Sequence, residues 1–287
     1  MTKNPTVEDY AALLAVDAHE EADRQEFWDA RADDYDQGQR HDDGVLADAV
    51  VAHLAERGIL TNADVLDVGA GAGRYALRIA RHAARVQLTD ISGRMLAHAR
   101  ANADTATGPA ALDYTRLDWS TADLDALGWR AAFDVVFASM VPVVRSREGI
   151  DRMTAASRSW CVVNRTIRMR DTIAQHIERE LGVGDRYDAR NDTAYPLALI
   201  NYLWLRGHLP TVAYVEHHTT TRYTLDEATA RYAGPFEAVP RGRTRQREGE
   251  LRRIISRAAV AVAGDGDGDG AIIAENEQVT AVITWRV

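Results

Sequence analysis

The residues most suited to chemistry form a glycine-rich turn, Asp67 to Gly73 (DVGAGAG), which directly follows a short apolar run at 65–68. Glycine lets the backbone pass close to a ligand, and a helix that starts after such a turn offers unpaired N–H groups. A dinucleotide-binding fingerprint would place its third glycine one position later, where Arg74 stands. The turn therefore predicts a small-molecule site and disfavours a nicotinamide dinucleotide.

Two further acids stand where predicted strands end. Asp90 closes the alternating segment 85–90, 23 residues after Asp67, and Asp118 lies near the end of the alternating segment 112–119. A carboxylate at the position of Asp90 can accept hydrogen bonds from both hydroxyls of a ribose. Because ligands of open α/β sheets bind outside the carboxyl ends of the strands, we expect the turn and both acids to share one site.

The elements that must position these residues follow a regular alternation. Five predicted strands alternate with helices, at 65–68, 85–90, 112–119, 133–138 and 160–163. After residue 169 the pattern predicts helices over 171–182, 196–207, 225–233 and 245–263, and strands over 211–218 and 279–287. This order predicts an α/β fold, a doubly wound, Rossmann-like, seven-stranded and mostly parallel sheet with an antiparallel edge and a helical cap.

The same pattern divides the chain into four predicted parts. They are an N-terminal helical lid segment (1–43), a core with the ligand site (44–169), a helical cap insertion (170–210) and a C-terminal completion of the sheet (211–287). Within the first part a helix is predicted over 6–36, with Trp28, Ala32 and Tyr35 on one face, and a second helix over 45–57 follows.

These motifs resemble a known family. Asp67 to Gly73, Asp90 and the Leu117-Asp118-Trp119 segment resemble the cofactor-binding motifs of class I S-adenosylmethionine (SAM)-dependent methyltransferases, over roughly 44–165. The segment Phe27 to Asp36 is similar to the W-x-x-x-A-x-x-Y-D lid of small-molecule members, the methyltransferase type 11/25-like branch. The resemblance implies SAM as the cofactor.

The resemblance also implies a role for each residue. The glycine turn would pack against the methionine part of SAM, Asp90 would bind the ribose, Asp118 would reach the adenine amino group beside Trp119, and the lid would contact the cofactor. The implied cofactor-binding residues are Trp28, Tyr35, Asp67, Gly69, Ala70, Gly71, Gly73, Asp90, Ile91, Met95, Asp118, Trp119, Ser139 and Met140.

Methyl transfer from a sulfonium cation to a neutral nucleophile consumes charge in the transition state. The protein therefore mainly has to orient the two reactants and exclude water, and no universal catalytic residue is expected. The segment Ser139-Met140-Val141-Pro142 lacks the N/D-P-P-Y/F signature of amino-group methyltransferases that act on nucleobases or glutamine. These observations favour methyl transfer to a small molecule and leave the acceptor open.

Other functions remain open at this point. The chain is also consistent with a SAM-binding regulatory module without catalysis, or with another use of the same cofactor, such as aminopropyl transfer or carboxyl-SAM chemistry. An NAD(P)-dependent oxidoreductase is disfavoured by Arg74.

The helices predicted after residue 169 carry candidate residues for the wall of the acceptor site. Their apolar members are Tyr195, Leu199, Tyr202, Leu203 and Trp204, and their polar members are His176, Asn201 and His208. A general base, if the reaction uses one, is expected from His176, His208 or Tyr195.

Composition limits the remaining classes of function. The net charge of −9 argues against a nucleic-acid surface spread over the whole molecule but leaves a local basic patch open. The single cysteine, Cys161, excludes an intrachain disulfide. No apolar run approaches the ~20 residues of a membrane span, and the polar N-terminus does not resemble a signal peptide. We therefore expect a cytoplasmic protein, a monomer or homodimer.

No metal site is expected. The adjacent His217 and His218 lie on a predicted strand and point to opposite faces. The segment 265–270 resembles the start of a calcium loop, but Asn276 occupies its twelfth position, where glutamate is needed.

Overall fold

The computed structural model describes residues 5–14, 25–104, 110–182, 193–237, 249–257 and 271–287. The described helices are α1 (Val7–Leu14), α2 (Gln25–His41), α3 (Val45–Glu56), α4 (Ala76–Ile79), α5 (Gly93–Ala103), α6 (Arg147–Ala156), α7 (Thr172–Leu181), α8 (Ala194–Leu205), α9 (Leu225–Glu237) and α10 (249–257). The strands are β1 (Asp64–Val68), β2 (Arg85–Asp90), β3 (Ala111–Arg116), β4 (Phe133–Ser139), β5 (Ser157–Asp171), β6 (Thr211–Tyr223) and β7 (Ile272–Arg286). A 3₁₀ turn covers Pro142–Arg145.

The strands form one seven-stranded sheet in the order β3-β2-β1-β4-β5-β7-β6. The first five strands pair in parallel. β7 runs opposite to β5, because Val287 donates its N–H to Ser159 whereas the earlier Gln278 contacts the later Thr166. The predicted doubly wound sheet with an antiparallel edge is therefore confirmed. Its strand order reverses between β1 and β4, the place where α/β sheets bind ligands.

The chain folds as two compact units. The first comprises residues 1–165, 193–215 and 280–287. Its core is built on the central parallel strands, where Val65, Leu88, Val135 and Phe137 are fully buried. Helices cover both faces of a parallel sheet, so the sequences of its strands are nearly continuous runs of apolar residues. Each fully buried side chain of this size stabilises the fold by about 1.5–3 kcal/mol.

The second unit comprises residues 166–192 and 216–279. Ile173 and Ile177 of α7 pack there with Ile255 of α10 and Ile272 of β7. Asp171 caps α7 by accepting hydrogen bonds from the backbone N–H groups of residues 173 and 174, both at 2.9 Å, and it also accepts the Tyr232 hydroxyl. This unit therefore has its own apolar core and a buried polar link.

Several elements differ in length from their predictions. The helix after the glycine turn is short, Ala76–Ile79, because the following residues turn back toward the sheet and Ala84 donates its N–H to the carbonyl of Ala63. The helix expected over 6–36 corresponds to α1 and α2, and the one expected over 245–263 contains α10. Residues 15–24 and 258–270, including the calcium-loop-like segment, lie outside the described residues.

β5 and β7 each contain 15 residues and are much longer than predicted. Their extra residues include several charged side chains, which in the sequence suggest the end of a buried strand. In the structure these charges pair with each other, since Arg168 lies 2.7 Å from Glu277. Cross-strand ion pairing therefore continues the strands beyond the apolar pattern.

Two helical glycines make the packing of the first unit testable. A Cβ added to Gly149 in α6 would overlap the carbonyl oxygen of Val143, whereas a Cβ at Gly38 in α2 meets nothing within 4 Å. We expect Gly149→Ala to lower the free energy of unfolding by about 1–3 kcal/mol through overpacking. Gly38→Ala is expected to raise it by about 0.4–1 kcal/mol, because alanine restricts the unfolded chain. Denaturant unfolding measures both, and equal stability of the two variants contradicts the packing described here.

Candidate functional site

A single cleft collects most of the predicted site residues within the first unit. It encloses about 710 Å³ of empty space, its solvent-open part included, a size suited to a small-molecule ligand. The residues that line it come from α2, from the carboxyl ends of β1, β2 and β4, from α5 and from the segments after β3 and β4. They are Trp28, Tyr35, Val68, Gly69, Gly71, Thr89, Asp90, Ile91, Met95, Leu117, Asp118, Trp119, Ser120, Ser139, Met140, Val141, Pro142 and Val143.

Three predicted ligand residues do not line this cleft. Asp67 is 2% exposed, and its carboxylate accepts the backbone N–H of Ala76 at the start of α4. Ala70 donates its N–H to the carbonyl of Thr89 at 2.8 Å. A Cβ on Gly73 would approach side chains behind the turn. These three residues therefore belong to the side of the turn that faces away from the cleft.

The turn depends on glycine at two cleft positions. Gly69 and Gly71 have φ values of 68° and 55°, in the left-handed region that other residues rarely adopt. A Cβ on Gly69 would lie 2.6 Å from the Val141 side chain, and a Cβ on Gly71 would lie 3.3 Å from the Tyr35 ring. Because these positions have no side chain, Val141 and Tyr35 can approach the turn closely, and both glycines line the cleft.

Asp90 joins the turn to the neighbouring strand. It is 8% exposed, and its two carboxylate oxygens accept the N–H groups of Gly71 at 2.9 Å and Ser92 at 2.8 Å. Burial raises the pKa of this carboxyl, although the two N–H donors oppose the change. Each carboxylate oxygen has a second lone pair, so Asp90 can still accept a pair of hydroxyl groups from a ligand.

Asp118 and Trp119 border the cleft after β3. The Oδ1 atom of Asp118 accepts the N–H and the hydroxyl of Ser120, at 2.8 and 2.6 Å. Trp119 is 3% exposed and donates its indole N–H to the carbonyl of Gly149 at 3.2 Å. A ligand would therefore contact the ring of Trp119, whose N–H is already bonded.

Helix α2 places Trp28 and Tyr35 at the cleft. It packs against α5 through a row of polar contacts, named here the α2–α5 row. Ser92, which caps α5, donates its hydroxyl to Asp29 at 2.5 Å. The remaining contacts in the row join Arg94 and His98 to Asp33, and Asn102 to the buried Asp36. Acids at 29, 33 and 36 thus face polar residues at 92, 94, 98 and 102 along two helices.

The sequence analysis missed the α2–α5 row and part of the cleft wall. The row has a sequence signal, since both partners repeat at helical spacing, but that signal does not say that the two helices meet. The missed cleft residues are Val68, Thr89, Leu117, Ser120, Val141, Pro142 and Val143. Most of them are neighbours of predicted residues.

Met140 marks the point where β4 turns into this wall. Its φ is 56°, and its side chain is 43% exposed. A left-handed conformation costs a residue other than glycine about 1–2 kcal/mol, and such strain concentrates at functional sites.

The described cap residues do not line the cleft. Tyr195 is buried and donates its hydroxyl to the carbonyl of Val144 at 2.9 Å, and Tyr202 donates to Asp151 at 2.6 Å. His208 contacts the carbonyl of Arg286, while Trp204 is 62% exposed. The predicted wall residues of α8 therefore pack within the first unit or face solvent, and His176 belongs to the second unit.

Within the described residues, no three histidine, cysteine or acidic side chains are grouped so that they could hold a metal ion. In the same part of the chain, no helix is long and apolar enough to cross a membrane.

With this geometry established, comparison with known proteins identifies one domain. Residues 65–161 match the family model described as a methyltransferase domain. The match falls on β1 to β5, the segment that contains the glycine turn, Asp90 and Asp118, and it confirms the resemblance seen in the sequence. No curated protein sequence matches the chain significantly.

Among solved structures, the chain is similar to magnesium protoporphyrin IX methyltransferase of Synechocystis PCC 6803 with bound S-adenosylhomocysteine (SAH), at 18% identity over 69% of this chain and 92% of that chain, with a TM-score of 0.48. A putative methyltransferase of Bacillus halodurans C-125 is 13% identical over 82% and 97% of the two chains, with a TM-score of 0.46. The domain assignment depends on the sequence match of residues 65–161 alone.

The buried acids of the site make the stability of the protein depend on pH. Burial, together with the charge of Asp90, raises the pKa of Asp67 well above its usual range, whereas Arg158 lowers the pKa of Asp134. The pKa of an aspartate in the unfolded chain is about 4. A carboxyl whose pKa is raised on folding makes the folded state less stable as the pH rises above that value. A carboxyl whose pKa is lowered on folding makes the folded state less stable as the pH falls below that value.

We therefore expect Asp67→Asn to stabilise the ligand-free protein at pH 7 and to have little effect below about pH 4, where Asp67 is protonated in both states. Asp134→Asn, the matched control, is expected to destabilise at pH 7, with a loss that shrinks on acidification. Denaturant unfolding at several pH values tests both variants. A destabilised Asp67→Asn at pH 7 would show that the carboxylate is held ionised at no cost.

Proposed function

We propose that this chain, which carries a class I methyltransferase domain over residues 65–161, binds SAM in the cleft and transfers a methyl group to a small-molecule acceptor. The observation that carries the proposal is the position of Asp90. Its buried carboxylate lines the cleft at the end of β2 and is held by the N–H of Gly71 from the glycine turn. This arrangement offers two acceptor oxygens beside an open stretch of backbone.

The residues of the cleft fit such a cofactor. Asp90 would accept the ribose hydroxyls, Asp118 would reach the adenine amino group, and Gly69 and Gly71 leave room for the methionine part. Ile91, Met95 and Leu117 add apolar surface for the flat face of a base. A site that combines apolar walls with a few fixed polar groups is typical of small-molecule binding.

When bound, SAM supplies an electrophilic methyl group on a positively charged sulfur. The chain's own contribution is to orient the reactants and exclude water. Trp28 and Tyr35, whose rings meet edge to face with centroids 6.4 Å apart, line the cleft from α2. The contacts from α2 to α5 hold both rings over the turn, which supports the proposal that the N-terminal segment 1–43 acts as a lid.

A small-molecule acceptor is supported by the enclosed shape of the cleft and by the charge of the protein. The net charge of −9 repels the phosphate backbone of a nucleic acid. The Ser139-Met140-Val141-Pro142 segment also lacks the signature of base-modifying members. We accordingly propose an acceptor that enters the cleft as a single molecule.

We expect Asp90→Ala to weaken SAH binding by tens to hundreds of fold, because the loss of paired buried hydrogen bonds to ribose costs about 2–3 kcal/mol. Calorimetric titration with SAH measures the change, and titration with NAD tests the oxidoreductase alternative directly. Asp113→Ala is the matched control, since this acid on β3 pairs with Arg85 at the surface. Unchanged SAH affinity in Asp90→Ala would remove the basis of the proposal.

The lid proposal predicts a change in backbone exchange. On addition of SAH, amide hydrogens of α2 are expected to gain protection, because cofactor contacts with Trp28 and Tyr35 order this helix. Asp33→Ala, which removes the partner of Arg94 and His98, is expected to increase the exchange of α2 in the free protein. Helix α8 contributes no residue to the cleft and serves as the reference. Identical exchange of α2 with and without SAH, while the glycine turn is protected, would contradict a lid.

A further inference from the structure

One buried side chain beside the cleft has no hydrogen bonds. Asn164 of β5 is 1% exposed, and within the described residues neither its Oδ1 nor its Nδ2 atom has a hydrogen-bond partner. Burying an amide without partners costs free energy, and most buried polar groups in native proteins are paired. An unpaired amide of this kind is explained when a ligand supplies the missing partners.

The position of Asn164 connects it to the cleft. It is the register partner of Ser139, the last residue of β4, which lines the cleft. Its carbonyl accepts the N–H of Met140 at 3.2 Å. Register partners on neighbouring strands point to the same face of a sheet, so the side chains of Asn164 and Ser139 are neighbours.

A third polar group lies at the same place. The hydroxyl of Tyr75 interacts with the side chains of Ser139 and Asn164, but it does not meet the distance and angle of a hydrogen bond to either polar atom of Asn164. Its ring packs on Phe137 with a centroid distance of 5.2 Å. Burial raises the pKa of Tyr75, so its hydroxyl stays protonated at neutral pH. Tyr75, Ser139 and Asn164, here named the Asn164 cluster, are thus three uncharged groups with both donors and acceptors.

The order of the strands places this cluster beyond the proposed cofactor site. Along the sheet edge, Asp90 ends β2, the glycine turn follows β1, Ser139 ends β4, and Asn164 lies on β5. Adjacent strands are about 4.8 Å apart, so Asn164 lies three strands, roughly 14 Å, from the ribose-binding acid. A cofactor that has its ribose at β2 and its methionine part at β1 directs its reactive end toward β4 and β5.

Building on the proposed function, we propose that the Asn164 cluster binds the reacting group of the acceptor, an uncharged hydroxyl or amine. The Asn164 Oδ1 atom accepts the O–H or N–H of that group, and the Nδ2 atom donates to a neighbouring oxygen or nitrogen of the same molecule. The cluster contains no cation, so it favours an uncharged group over a carboxylate or phosphate. Ser139 and Tyr75 complete the polar surface around it.

The variant Asn164→Leu separates this role from a structural one. Because it removes an unpaired polar group, the variant is expected to unfold at the same temperature as the wild type or higher. Thr280→Val is the matched control: Thr280 of β7 is 2% exposed, its hydroxyl has no partner within the described residues, and β7 is not a neighbour of β4, the strand whose end lines the cleft. In both variants the affinity for SAH is expected to stay within about twofold of wild type.

Methyl transfer is then measured with isotopically labelled SAM and the deproteinised small-molecule fraction of a bacterial extract. Asn164→Leu is expected to reduce transfer by about 30-fold or more, and Thr280→Val to leave it unchanged. Undiminished transfer, a lower unfolding temperature or a tenfold weaker SAH affinity in Asn164→Leu each overturns the proposal. A wild-type protein that fails to bind SAH overturns the proposed function instead.

Discussion

The hydrogen bond from the Gly71 N–H to the Asp90 carboxylate is the interaction on which the site depends. It joins the turn after β1 to the end of β2, and its donor, Gly71, has a positive φ. The other oxygen of Asp90 accepts the N–H of Ser92, whose hydroxyl caps α5 and reaches Asp29 of α2. One carboxylate therefore fixes the turn, the start of α5 and, through Ser92, the helix that covers the cleft.

This arrangement has an energetic cost that the core has to offset. Asp67 and Asp90 are both buried, and burial raises the pKa of each carboxyl. Met140 adds a strained backbone, and Asn164 adds an unpaired amide. Asp67 and Asp90 lie at the carboxyl ends of β1 and β2, Met140 directly follows β4, and Asn164 pairs with the last residue of β4. The apolar strands next to them are closely packed. Proteins commonly concentrate such local violations at a functional site and compensate for them elsewhere.

The sequence predicted what depends on neighbours along the chain. The glycine turn, the acid at the end of β2 and the alternation of strands and helices are local patterns, and each appears where it was expected. Contacts between distant segments were not predictable in this way: the α2–α5 row needs two helices to meet, and the extension of β5 needs Arg168 to find Glu277 on β7. Tyr195 was predicted to line a cavity, but an aromatic ring with a hydroxyl fits the core of a protein as well as the wall of a cavity. In the structure Tyr195 is buried in the core and its hydroxyl donates a hydrogen bond to the carbonyl of Val144.

The polar groups at this edge of the sheet are proposed to bind two ligands, the cofactor and the acceptor. Asp90 and the glycine turn, which are proposed for the cofactor, lie at the ends of β2 and β1, whereas Ser139 and Asn164 of the Asn164 cluster lie on β4 and β5. Among the described residues, the donors to Asp90 are backbone N–H groups of Gly71 in the glycine turn and of Ile91 and Ser92 before α5, and none comes from β4 or β5. Substitutions at Ser139 or Asn164 can therefore change which acceptor is held without disturbing the carboxylate that fixes the turn.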